Sequence, residues 1–337
     1  MSAVPSDPAA RRPAATRGDV ARLAGVSTAV VSYVLNGSKS VRPETEERVR
    51  AAVAKLGYRP NAAARALSRG ASDLLGIVVP NATNPFFAHF THEVDLAADK
   101  RGMTLLAANA DESAGRERRL IEGFVDRRVD GILLASTGAI PHLRTLVPPD
   151  LPVVLINRYD AVPGFRTVGI DLFEGARIAV EHLAEHGHRT VGLIAGTAPD
   201  GVPGPREIGW RAAIDRYSVA AGPVIREGFT MSGGHAAGRR LIAEGTVPSA
   251  LFVSSDQLAM GLLLALHEAG LRVPEDVAIV SFDGTPESAY AWPPLTTLAQ
   301  PIAEMARAGV AAVLDPDGPR GGSVFAPVLV RRASCGC

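Results

Sequence analysis

The chain has 337 residues, 47% of them hydrophobic, with 35 Lys/Arg against 35 Asp/Glu. That length calls for two or three folded units, and that apolar content excludes a disordered chain. No apolar run reaches the roughly 18 residues of a membrane span, and the zero net charge hides an asymmetry, since residues 1–70 hold 12 Lys/Arg and 5 Asp/Glu and the remainder 23 and 30.

Residues 1–15, rich in Pro, Ala and Arg, lack the apolar core of an export signal and read as a disordered arm. The stretch TRGDVARLAGVSTAVVSYVLNG, residues 16–37, reads as two short helices joined by a tight turn. Thr16 caps the first, with Asp19 as its capping-box partner, and Val20, Leu23 and Ala24 fall on one helical face. Gly25 supplies the turn; Ser27 caps the second helix, which runs to Asn36 and stops at Gly37. This is the sequence form of a helix-turn-helix, whose second helix enters a DNA major groove; a plain helical hairpin is the alternative. A basic head on an acidic body is also the electrostatic footprint of a nucleic-acid-binding module. A third helix starts at Pro43, carries Glu44, Glu46 and Glu47 in its first turns, and presents Val49, Val53 and Leu56 for packing before Gly57. The segment PNAAARALSRG, 60–70, is too short to hold a helix alone and reads as a conditional helix, ordered when docked.

From Ser72 the pattern changes. Apolar runs at 74–79, 103–108, 131–135 and 152–156 alternate with amphipathic helices near 86–101 and 114–128 and a short helix before the last run. After Asp171 the rhythm restarts: helix 173–186, strand 190–195, helix 206–217, then strands 250–253 and 277–282 flanking helix 256–269. A late helix near 302–314 and a strand near 324–330 return to complete the lobes. Alternating strands and helices mean parallel sheets, and two such series mean two α/β lobes with a ligand cleft at the strand ends between them.

The only cysteines, Cys335 and Cys337, fall in a polar tail, which excludes a disulfide scaffold and fits a reducing cytoplasm; without further ligands beside them they read as no metal site. His186 and His188 read as surface or helix-cap residues. A phosphate loop, GxGxxG and GxSxG are all absent from the sequence, so an enzyme is not expected, and neither is a cofactor.

The strings DVARLAGVSTAVVSYVLNG, PETEERVRAAVAKLGYRPNAAARAL, GIVVPNATNPFF, RRVDGILL, EHLAEHGHRTVGLIAG, SSDQLAMG, AGLRVPEDVAIVSFD and PPLTTLAQP, in this order over roughly 16–332, resemble the lactose/galactose repressor family. The resemblance implies a small all-α helix-turn-helix headpiece and a two-lobed α/β effector domain like periplasmic sugar-binding proteins. Its boundaries are a helix-turn-helix domain at 16–59, a hinge helix or linker at 60–71, an effector-binding and dimerisation domain at 72–332, and a tail at 333–337. It implies a cytoplasmic, homodimeric transcription regulator, without a membrane partner, that represses from a pseudo-palindromic double-stranded operator. A receptor without gene regulation is the alternative.

The resemblance also places functional residues. Thr28 and Ala29 fall at base-reading positions, and Tyr33 stands where the family commonly has Arg. Ser32 and Asn36 match phosphate contacts, as does Ser27 unless it only caps; Lys39 and Arg42 meet the DNA backbone, Arg42 standing where a capping Ser is common. Leu67, with Ala64 beside it, matches a minor-groove wedge; a core leucine under the linker is the alternative. Cleft residues are Phe86, Phe87, Asn157, Asp171, Arg206, Phe229, Ser255, Asp256, Asp283 and Gln300, a set suited to a small polar ligand, a carbohydrate above all. Several keep a plainer reading: Asp171 as a helix cap, Asp283 as a turn residue, Phe86 as core, Arg206 as a partner of Asp200 or Glu207. Ser255 replaces an Asn common in sugar-binding relatives, and Asn157 a common Asp, so a nucleoside or another polar metabolite stays open.

Overall fold

A computed structural model describes residues 15–37, 39–59, 70–135, 143–158, 160–197, 202–315 and 321–337. The chain divides into two compact units, Met1–Ser72 and Asp73–Cys337.

The first unit is built on α1 (Arg17–Ala24), α2 (Thr28–Asn36) and α3 (Pro43–Leu56). Thr16 and Asp19 close a reciprocal capping box: the Asp19 amide donates to Thr16 Oγ1 at 3.2 Å, and the Thr16 amide donates to Asp19 Oδ2 at 2.9 Å. Gly25 takes the left-handed conformation, φ 63°, that ends α1 and frees the chain to turn by 102° into α2. The Val30 amide donates to Ser27 Oγ at 3.3 Å, capping α2. Arg42, at the cap position of α3, makes no side-chain cap bond; Pro43 starts that helix instead. The core gathers Val20, Ala21, Ala24, Val31, Val34, Val49, Ala52 and Tyr58. Leu23, expected on the packed face of α1, is exposed, and Ala21 takes its place: with only three short helices the covered stripe is narrow, and it runs through 20, 21 and 24. Val53 and Leu56 are half-buried at its edge. The 60–69 segment, including Ala64 and Leu67, lies outside the described residues.

In the second unit, lobe 1 comprises β1 (Leu74–Val79), α4 (Pro85–Asp99), β2 (Thr104–Asn109), α5 (Ala114–Asp126), β3 (Gly131–Leu134), α6 (Leu143–Leu146), β4 (Val153–Ile156), β5 (Arg166–Ile170), α11 (Ile302–Leu314) and β11 (Gly322–Phe325). Lobe 2 comprises α7 (Leu172–Glu185), β6 (Thr190–Gly196), α8 (Pro205–Tyr217), β7 (Ala220–Glu227), α9 (Met231–Ala243), β8 (Ala250–Val253), α10 (Asp256–Glu268), β9 (Ala278–Asp283), β10 (Thr296–Ala299) and β12 (Val328–Val330). The sheet orders are β11-β5-β4-β3-β1-β2 and β12-β10-β9-β8-β6-β7. Apart from β12, which runs antiparallel to β10, every pairing is parallel. Each lobe therefore repeats one doubly wound arrangement, and its strands end on one common edge. Parallel strands covered on both faces read as continuous apolar runs, which is why LLGIVV, VVLI and ALFV sit fully or almost fully buried.

The chain crosses between lobes at Asp171, at Gln300–Pro301 and at Ala326–Pro327. The run expected as one strand near 324–330 is two, β11 in lobe 1 and β12 in lobe 2, because the crossing at Pro327 interrupts it. The expected tail is docked: Ser334 is fully buried and donates from Oγ to the Ile279 carbonyl at 2.7 Å, and Cys335 is buried beside it. Among the described residues no single helix is long and apolar enough to cross a membrane.

Candidate functional site

On α2, Val31 and Val34 face the core of the first unit. Thr28, Ala29, Ser32, Tyr33 and Asn36 fall, at about 100° per residue, on the opposite face. Ser27, Thr28, Ala29 and Asn36 are exposed, and Ser32 and Tyr33 half-buried. The Asn36 amide donates to Ser32 Oγ at 3.1 Å, and the Lys39 ammonium lies 5.1 Å from the Tyr33 ring centroid. Lys39 and Arg42 are exposed where the chain leaves α2. This convex, polar face with cations at its rim has the form of a helix presented to a groove, with backbone-contacting groups flanking base-facing ones.

In the second unit the carboxyl ends of the strands gather polar groups around Arg206. Its guanidinium lies 4.5 Å from the Phe282 ring centroid and 5.7 Å from that of Phe229, and 3.7 Å from Asp283 Oδ1. The alternative partners do not take it: Glu207 is buried and engaged by Arg226 at 2.7 Å and Arg211 at 2.9 Å, and Asp200 lies outside the described residues. Phe229 reaches this position because β6 ends in Gly196, where a Cβ would overlap the Phe229 ring. Asp283 ends β9 with a positive φ of 111°, which a side chain seldom adopts and which holds its carboxylate at the strand end. Gln300, at the second crossing, donates from Nε2 to Asp283 Oδ1 at 2.9 Å. Burial pushes the Asp283 carboxyl up to about 7, against the pull of Arg206 and with the help of Asp256. Burial likewise lowers the Arg206 pKa, with Asp283 opposing.

Three buried polar atoms here, Arg206 Nε, Gln300 Oε1 and Asn157 Oδ1, have no hydrogen-bond partner among the described residues. Buried polar atoms are nearly always paired, so Arg206 Nε and Gln300 Oε1, whose side chains both meet Asp283, leave bonding capacity that a polar ligand would complete. Asn157 follows β4 of lobe 1 in the left-handed conformation, φ 57°, which Asn tolerates.

Other expected cleft residues have structural duties. Asp256 is fully buried and accepts from Ser281 Oγ at 2.6 Å, Thr297 Oγ1 at 2.8 Å and the Thr285 amide at 2.7 Å; it pins β9 and β10 to α10. Ser255 caps α10, accepting from the Leu258 amide at 3.2 Å, and Asp171 caps α7, accepting from the Glu174 amide at 2.8 Å. Asp171 is only partly buried and stays at the first crossing. Phe86 is buried against Phe90 and meets Phe87 edge-on at 5.1 Å, while Phe87 is partly exposed. Between the lobes, His89 Nε2 of α4 stands 3.8 Å from Glu287 Oε1. Sequence reasoning missed Phe282, hidden inside an apolar run, and Trp210, buried one turn after Arg206 with its Nε1 unpartnered.

Residues 17–61 match the model of bacterial regulatory proteins of the lacI family, and residues 180–335 that of the periplasmic binding protein-like domain. The HTH-type transcriptional regulator GalS of Salmonella typhimurium is 36% identical over 328 residues, covering 94% of this chain and 95% of its own. The ribose operon repressor of Escherichia coli is 32% identical, covering 86% and 89%. Among solved structures, the lac repressor dimer bound to operator and the anti-inducer ONPF aligns with a TM-score of 0.86 at 26% identity, covering 96% of this chain and 99% of that one. The complex of the transcriptional regulator CelR with cellobiose aligns at 0.69 and 32% identity, covering 96% and 100%.

Proposed function

The chain belongs to the lacI family of bacterial regulatory proteins, a family of DNA-binding regulators rather than enzymes, and on that premise we propose that it represses transcription in the cytoplasm as a homodimer, releasing or gripping its operator according to a carbohydrate bound between its lobes. The reading rests on one observation above others: Arg206, stacked on two rings and facing Asp283, has an unpartnered Nε, and Gln300, bonded to the same Asp283, has an unpartnered Oε1. Charged and amide groups bonding hydroxyls beside an aromatic face suit a sugar. The names of the relatives point the same way, with a ribose operon repressor and a cellobiose complex among them.

In this reading Arg206, Asp283, Gln300, Asn157 and Phe229 touch the ligand, Asp171 and Phe87 border it, and Asp256, Ser255 and Phe86 hold the floor. Thr28, Ala29 and Tyr33 face bases. Thr28 and Ala29 lack the bidentate groups that discriminate guanine or adenine and suit thymine methyl groups. Ser27, Ser32, Asn36, Lys39 and Arg42 meet phosphates, and Leu67, flanked by Ala64, wedges the minor groove. Ligand closure of the lobes changes the spacing of the two hinge segments, a coupling that must be reciprocal. The dimer is supported by a patch on lobe 2, where Leu264, Ala291 and Trp292 line one surface recess and Tyr290 and Trp292 are each 89% exposed.

Genomic fragments selected on the full-length chain, with and without galactose, ribose or cellobiose, test the whole reading. Enrichment of a palindrome whose affinity changes with one sugar, and weakens in Leu67→Ala with sugar binding unchanged, is the expected result. No enriched site under any condition would refute it.

A further inference from the structure

The far end of lobe 2 holds a cluster that neither the DNA face nor the cleft uses. His182, in the last turn of α7, and His186, its C-cap residue, lie one turn apart, so both imidazoles share a face, with ring centroids 4.5 Å apart. The docked segment after β12 brings two thiols onto that face: Cys335 closes a 3-10 turn, and Gly336, at φ 84°, reverses the chain so that Cys337 returns beside it. His182 Nε2 lies 3.3 Å from Cys335 Sγ and 3.3 Å from Cys337 Sγ; Cys337 Sγ lies 3.5 Å from His186 Nε2 and 2.9 Å from Cys335 Sγ. The expectation that the two cysteines lack further ligands is therefore overturned, since the histidines that join them are about 150 residues away in sequence.

We propose that His182, His186, Cys335 and Cys337 form a Cys2His2 site for a thiophilic divalent cation, with zinc the ion that the donor set fits. Zn–S bonds of about 2.3 Å and Zn–N bonds of about 2.0 Å in a tetrahedron place N and S about 3.5 Å apart and the two sulfurs about 3.8 Å apart. The three N···S separations are within about 0.2 Å of that; the sulfurs must part by about 0.9 Å, and His186, which lies outside the compact group of His182, Cys335 and Cys337, must swing inward as the fourth ligand, both Cys337 and His186 being exposed and free to move. The sulfurs are well beyond the roughly 2.05 Å of a disulfide. His182 is 3% exposed, and its Nε2 faces two sulfurs, poor hydrogen-bond partners for a buried imidazole but good co-ligands. Two thiolates neutralise a divalent ion, their protons leaving to solvent as it binds. Outer contacts are in place: Cys335 Sγ lies 3.0 Å from Thr296 Oγ1 and 3.6 Å from the Arg332 carbonyl. His182 lies eleven residues beyond Asp171, roughly 16 Å along a helix axis, so the ion would sit apart from the cleft.

The test uses the full-length chain, kept reduced, stripped with a chelator and titrated with Co2+ as the optical probe and Zn2+ as competitor. One Co2+ per chain, with the strong visible absorption of tetrahedral cobalt and a thiolate charge-transfer band, displaced by one Zn2+, is expected. Loss of outer contacts alone typically weakens metal sites by about 10–100-fold, so Cys337→Ser and His186→Ala should each weaken binding by more than that. Both side chains are exposed, and unchanged Trp fluorescence would show that the fold survives. Substoichiometric uptake, a six-coordinate spectrum, or equal affinity in Cys337→Ser and the parent chain would each overturn the site. So would recovery of Cys335 and Cys337 as a disulfide that forms again on mild oxidation in the presence of excess Zn2+.

Discussion

Replacing Asp283 by Asn should flatten the pH dependence of stability of the second unit. The Asp283 carboxyl is held at about 7 in the folded chain against an ordinary 3.8. A carboxyl raised on folding binds its proton more tightly in the folded state, so its contribution to stability is fully present below about pH 4 and is lost as pH rises through about 7. At most about 1.36 kcal/mol per pH unit is lost inside that window, and integrating from pH 5 to pH 8 gives roughly 2–3 kcal/mol from this one group. Asp283→Asn keeps the shape and the acceptor for Gln300 but cannot ionise. Its absolute stability will drop where Arg206 loses its partner, so the readout is the difference between pH 5 and pH 8, not either value alone. Urea unfolding followed by tryptophan fluorescence suits this, because both tryptophans, Trp210 and Trp292, lie in the second unit and Trp210 is buried one turn from Arg206. Asp256, raised chiefly by its own burial, keeps its hydrogen bonds to Ser281, Thr297 and Thr285 in both proteins. Parallel profiles for the two proteins would refute the reasoning and mean that Arg206 keeps Asp283 ionised throughout.

Three further outcomes are expected. Gly196→Ala places a methyl against the Phe229 ring and should weaken binding of whichever sugar the full chain recognises by at least about tenfold, near 1.4 kcal/mol, in calorimetry; undiminished affinity would remove Phe229 from the ligand. Ser27→Ala removes the cap of α2 and should cost about 1 kcal/mol of headpiece stability, seen as earlier loss of helical circular dichroism; no change would mean that the 3.3 Å bond carries no weight. Leu264→Asp should yield monomers in light scattering at micromolar concentration, and an unchanged mass would place the dimer contact elsewhere.

The alternation of apolar runs and amphipathic helices was legible because parallel strands buried on both faces must be apolar throughout. β5 was not, since RTVGI is short, opens on Arg and contains Gly. α9 was missed because MSGGHAAGRRLIA reads as turn-like. Its glycines let it approach α10 closely, a Cβ at Gly234 meeting the Leu258 carbonyl and one at Gly238 meeting Ala265, which only the packed pair reveals. The capping residues of the first unit could be named in advance because capping is local, spanning three residues. The cleft was legible only as a set of strand ends. Which members face a ligand depends on bonds made across the fold: Asp256 looked equivalent to Asp283 until its oxygens met Ser281, Thr297 and Thr285. The thiol–imidazole cluster joins positions too far apart in sequence for any local pattern to link them.

The three crossings between lobes impose an order of events on synthesis. Lobe 1 takes its first five strands from residues before 171, but its covering helix α11 and its edge strand β11 come from residues 302–325. At roughly 5–20 residues per second, some 155 residues of translation separate β5 from β11, about 10–30 s. Throughout that interval the nascent sheet carries an unpaired β5 edge and a bare apolar flank on β3, β4 and β5 where α11 will lie. Lobe 2, although encoded second, gathers every element but its edge strand β12 in that same interval. A ribosome stalled between residues 171 and 302 therefore presents a half-lobe with an unpaired strand edge and exposed apolar surface, the combination that makes nascent chains prone to aggregate.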